Sequence, residues 1–78
     1  MNIAKRVKEY VLEEDLKITI LNNKINIVNY FDIGHFDNNK IIVKAKEKEI
    51  VIYGKLVVSK LLSDEILITG EFDKIEFR

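Results

Sequence analysis

The phrase I-x-I-x-G-x-(L/F) occurs twice in this chain, sixteen residues apart. Its first copy is carried by Ile50, Ile52, Gly54 and Leu56, with Val58 continuing the rhythm; its second by Ile66, Ile68, Gly70 and Phe72. Apolar residues at every second position put one row of side chains on one side of an extended backbone, so residues 50–77 read as strands. Glycine at the same place in each copy marks a bend or a close approach of backbones. Two architectures follow. An antiparallel meander folded on itself suits the hairpin-like turns; a short β-solenoid is the alternative, because a repeated phrase is also what stacked coils produce. Parallel pairing between residues 50–53 and 66–69 would decide for the solenoid.

The segments before the repeat supply more strands and one helix. Residues 17–30 alternate on both sides of an Asn22 and Asn23 pair, Ile18 and Ile20 before it, Ile25 and Ile27 after it. Asparagine tolerates the positive φ of a two-residue hairpin turn, so a hairpin is expected there. Gly34 and the Asp37, Asn38, Asn39 cluster mark residues 31–39 as turns. Residues 41–45 and 49–53 are two strands joined across Lys46, Glu47 and Lys48, and further strands fall at about 56–60, 66–69 and 74–77. Leu61 and Leu62 are expected to plug one end of the core. Near the N-terminus, Ile3, Val7, Tyr10 and Val11 recur at helical spacing. An amphipathic helix is therefore predicted over residues 1–15, although it lacks an N-cap and its bases precede its acids, against the macrodipole. Its Lys5, Arg6 and Lys8 give it a minor reading as a membrane-surface anchor. The expected fold is one mainly-β domain, residues 1–78. The helix packs on six or seven short, mostly antiparallel strands within residues 17–78.

Several strands are apolar on both faces. Ile41 and Val43 oppose Ile42; Ile50 and Ile52 oppose Val51 and Tyr53; Val57 and Leu67 also lie off the main row. An antiparallel sheet with one wet face would carry polar residues there. Either the sheet curls and uses both faces itself, or a partner or second copy covers one of them. On the second reading Ile42, Val51, Tyr53, Val57 and Leu67 are the exposed partner-binding candidates, acting through a face or through a free strand edge.

Composition narrows the chemistry. Thirteen basic and thirteen acidic residues cancel, which argues against the broad affinity for nucleic acid that phosphate neutralisation gives. A single-strand platform of Lys44, Lys46 and Lys48 with Tyr30 and Tyr53 is the alternative function. There is no cysteine, so no thiolate metal site and no disulfide. His35 with Asp32 and Asp37 forms D-x-x-H-x-D, a weak pattern that more often belongs to a solvated loop than to a metal. Ser59 and Ser63 have no nucleophile-elbow context, and the carboxylates fall at turns and exposed strand positions. Neither a catalytic nor a cofactor site is expected, and the chain is read as a non-enzyme. No apolar run reaches the length of a membrane span, and the charged start is unlike a signal peptide. These features give a cytoplasmic expectation.

The order of elements resembles the YabP/YqfC family of sporulation proteins. The likeness lies in the start VKEYVLEEDL, the middle segment Ile27, Val28, Asn29, Tyr30, and the closing phrase through Ile50, Ile52, Gly54, Ile66, Ile68, Gly70, Ile75 and Phe77. One residue fewer follows Gly54 than in the family's phrase, so the turn there is expected to be tighter. The resemblance implies a non-catalytic structural protein made in the mother cell during endospore formation, serving forespore or spore-coat development. It favours the YqfC-like branch, and so implies a partner such as a YqfD-like protein of the forespore membrane, with a peripheral place at that membrane.

Overall fold

The computed structural model describes residues 8–13, as a backbone strand, and residues 16–78. These form seven strands: β1 Lys8–Glu13, β2 Leu16–Leu21, β3 Lys24–Val28, β4 Asp32–Phe36, β5 Lys40–Lys44, β6 Glu49–Leu61 and β7 Glu65–Phe77. All pairings are antiparallel, in the order β1-β2-β3-β7-β6-β5-β4. Two meanders, β1–β3 and β4–β7, are thus joined where β3 meets β7. The expected hairpin at Asn22 and Asn23 is present, with Leu21 opposite Lys24.

The repeat is the hairpin of β6 and β7, and its two copies run antiparallel. Gly54 lies opposite Phe72, and Leu56 opposite Gly70, so each copy's glycine faces the large residue that closes the other copy. Parallel pairing, the mark of a solenoid, is absent from this pair. Both glycines have positive φ, 155° at Gly54 and 124° at Gly70. A Cβ on Gly54 would strike the Glu71 carbonyl oxygen, and one on Gly70 the Lys55 carbonyl oxygen. Only glycine lets the two backbones come this close at the crossing.

That crossing divides the sheet. Before it, β6 pairs with β5 through residues 49–53; beyond it, β6 pairs with β7 alone. Conversely, β7 pairs with β3 through residues 65–69, and beyond that only with β6. One half of the sheet is therefore β1, β2, β3 and the near ends of β7 and β6; the other is the far ends of β7 and β6 with β5 and β4. The open sheet folds over between these halves. Leu16, Ile18, Ile25, Ile27, Ile66 and Ile68 of the first half join Ile41, Val43, Ile50 and Ile52 of the second in one buried cluster. The smallest dimension, 22 Å, suits two sheet layers about 10 Å apart with their outer side chains. Isoleucine and valine at alternate positions fill such an interior well, because their branched side chains suit a pleated surface.

Three expectations need correction. Residues 8–13, part of the predicted helix, are a strand: Lys8 pairs with Ile20 and Tyr10 with Ile18. A helix there would have lacked a cap and opposed its own dipole, whereas the open edge of β2 offers backbone partners to a stretch containing Tyr10 and Val11. Residues 1–7, 14 and 15, the rest of that helix, lie outside the described residues. Second, residues 32–36 are a strand rather than turns, with Gly34 as an extra residue between the Ile33–Val43 and His35–Ile42 pairs. The extra residue breaks the alternation and so hides the strand. Third, Leu61 and Leu62 do not plug the core; both are about half exposed.

Candidate functional site

The five partner-binding candidates fall on two different outer faces. Ile42, Val51 and Tyr53 share the outer face of the second half, since Val51 is opposite Ile42 and Tyr53 opposite Lys40. Val57 and Leu67 share the outer face of the first half, where Val57 is opposite Thr69 and Leu67 opposite Asn26. The layers turn these faces away from each other, so the structure does not gather the five into one site.

Their exposures differ as well. Val51 is 0% exposed although it points away from the main core, so its expected exposure is corrected. It sits between Ile42 and Glu76 on the flanking strands. Ile42 and Leu67 are half-buried. Tyr53 is half-buried between its two register partners, with Lys40 Nζ 5.7 Å and Lys74 Nζ 4.7 Å from the ring centroid. Val57 alone is open, at 59%.

Val57 stands on the rim of a groove that the strand pattern hid. The end of β6 and the edge strand β4 belong to different layers and do not pair with each other. At one end of this seam the Tyr30 hydroxyl donates to the Leu62 carbonyl, 2.5 Å, and Asn29 N–H donates to the Asp64 carbonyl, 2.6 Å. At the other end Leu56 N–H donates to Asn38 and Gly54 N–H to Asn39, at 2.8 and 3.1 Å. By the latter end lies a groove of about 550 Å³ lined by Phe36, Asp37, Ile41, Leu56, Val57 and Val58, among others. Phe36 is 52% exposed although it shares the core side of the sheet, opposite Ile41. Val58 belongs to the apolar row legible in the sequence; Phe36 escapes that reading, because the residue inserted at Gly34 shifts the alternation that would reveal it.

Asp37 holds this mouth in shape. Its Oδ1 accepts the N–H groups of Asn39 and Lys40, both at 2.8 Å, and its Oδ2 lies 2.7 Å from His35 Nε2. The His35 contact first, then the backbone donors, hold its carboxyl below the usual range. His35 and Asp37 are thus a turn clasp. The third member of the D-x-x-H-x-D pattern is occupied elsewhere, since Asp32 Oδ1 accepts Ile33 N–H. Among the described residues no three histidine or carboxylate side chains gather as a metal site would need.

The lysine platform also lacks its tyrosines. Lys44, Lys46 and Lys48 line a second, shallow groove of about 500 Å³ with Phe31, Glu47, Glu49 and Arg78. Tyr53 is flanked by other lysines, and the Tyr30 hydroxyl is tied to Leu62. Burial, then the negative charges of Asp64 and Asp32, push the Tyr30 phenol up. No helix among the described residues is long and apolar enough to cross a membrane.

Against known proteins, the model of the YabP family matches residues 13–78. No curated protein and no solved structure matches the chain.

Proposed function

Since the chain belongs to the YabP family, whose membership points to sporulation, we propose that it is a non-catalytic docking protein of endospore formation. It works in the cytoplasm of the mother cell, at the surface of the forespore membrane, during forespore or spore-coat development. The observation that carries the docking reading is the groove beside β6, where Phe36 and Val57 leave large apolar surface in water next to a mouth fixed by hydrogen bonds. Isolated apolar residues on a surface are ordinary, but two flanking a preformed cleft are what a partner's side chain can fill. The partner proposed is a YqfD-like membrane protein. Docking needs no membrane-spanning segment in this chain.

The test is genetic and biophysical together. In a spore-forming host whose own copy is replaced by the Phe36→Asp, Val57→Asp double variant, the yield of heat-resistant spores falls to that of the deletion. The purified variant keeps the wild-type far-UV spectrum and urea midpoint. Wild-type spore yield from a folded double variant refutes docking through this groove.

A further inference from the structure

Among the described residues four one-residue register shifts occur in the sheet, and each places its extra residue on a strand at the point where that strand is an edge. In β1 it is Leu12, between the Val11–Lys17 and Glu13–Leu16 pairs. In β4 it is Gly34. The hairpin of β6 and β7 is the telling case, because each strand is an edge in only one half of the sheet. Where β7 is the edge, the extra residue is Asp73 on β7, between the Tyr53–Lys74 and Gly54–Phe72 pairs. Where β6 is the edge, it is Ser59 on β6, between the Val58–Ile68 and Lys60–Leu67 pairs. The interior pairings β2–β3, β3–β7 and β5–β6 run without a shift.

We infer that these four insertions are guards that stop a further strand from adding to the sheet. A free edge presents unpaired N–H and C=O groups in a regular row, a template for another chain. An extra residue bends the edge and puts that row out of step. Beyond the bonds to Asn38 and Asn39, residues 57–61 of β6 would otherwise form such a template beside exposed Val57 and Leu61. The strand excluded is an extended segment of any protein, a second copy of this chain included. Contacts with other proteins are left to side chains. This inference is independent of the sporulation role.

Deleting Ser59 tests it, because the deletion gives β6 and β7 one unbroken register from the crossing to the turn. The folded deletion variant is expected to self-associate at a concentration at least tenfold below any association of the wild type, measured by sedimentation velocity. Hydrogen exchange then shows new protection at residues 57–61. Ser59→Ala keeps the extra residue and loses only the hydroxyl contact with Thr69 (2.8 Å); it is expected to match the wild type. A folded deletion variant that sediments like the wild type overturns the inference, as does association of Ser59→Ala. If the Ser59 deletion does not fold, deletion of Gly34 in β4 is read the same way. If neither folds, the insertions are requirements of the fold rather than guards, and the inference fails.

Discussion

Replacing Gly70 by alanine should cost this protein most of its stability. The backbone at Gly70 has φ 124°, where a side chain adds about 1–3 kcal/mol of strain. The new methyl would also meet the Lys55 carbonyl oxygen, with the Lys55 carbonyl carbon at 3.2 Å and Leu56 Cα at 3.5 Å, all of them backbone atoms. Backbone cannot rotate away, so β6 and β7 must part at the crossing. Parting costs at least one ladder hydrogen bond, about 1 kcal/mol. It also exposes part of buried Leu56 and its neighbour Phe72, each worth roughly 1.5–3 kcal/mol when wholly buried. The sum is on the order of 4 kcal/mol, against the roughly 3–5 kcal/mol that a core of this size supplies. Gly54→Ala should behave alike, since its methyl meets the Glu71 carbonyl oxygen and, at 2.9 Å, Phe72 Cα. Gly34→Ala is the control: its nearest neighbour is the flexible Lys44 Cε at 2.7 Å, which can move, so a loss within about 1 kcal/mol is expected. Urea titration followed by far-UV circular dichroism ranks the three. Midpoints for Gly70→Ala or Gly54→Ala as high as that of Gly34→Ala would refute the crossing argument.

Other consequences are as specific. Val51→Asp places a carboxylate at a fully buried site and should leave the chain largely unfolded at 25 °C. Val57→Asp, at an exposed one, should change stability by less than about 0.5 kcal/mol; equal circular dichroism spectra for the two would contradict the burial assigned to Val51. Asp37 has a lowered pKa, so its stabilising effect is present above its ordinary value of 3.8 and fades as pH falls through the lower folded value. Asp37→Asn should therefore flatten the acid limb of a stability-against-pH curve, and an unchanged limb would exclude the clasp. Tyr30 is raised, so its contribution is present below its ordinary value of 10.0 and is lost as pH rises through the higher folded value. Tyr30→Phe should remove about 1 kcal/mol near neutral pH and weaken the alkaline loss; full wild-type stability would show that the Leu62 bond contributes nothing.

The alternating isoleucines made most strands legible, because a period of two has one structural meaning. The hairpin at Asn22 and Asn23 was legible for the same reason. What escaped was whatever an inserted residue displaced. Gly34 disguised β4 as a turn and put Phe36 out of step with the rows that mark the core. The helical spacing of Val7, Tyr10 and Val11 misled because local periodicity says nothing about an unpaired neighbouring strand. Of the partner-binding candidates, Val57 could be found as an apolar residue off the main row. The burial of Val51 could not, since it is a property of the assembled sheet and an apolar residue off the main row reads the same whether covered or open. Phe36 completes the groove only once the chain folds over at Gly54 and Gly70; the repeated glycines announce a bend or close approach there, but not which distant residues it brings together.

The most direct measurement is site-directed photo-crosslinking in sporulating cells, with a crosslinking residue at position 36, at 57, or at Leu21 as an exposed control. The account predicts that positions 36 and 57 give one shared adduct containing a YqfD-like membrane protein, and that position 21 does not. Adducts that are absent at 36 and 57, or that are the same at all three positions, would contradict it.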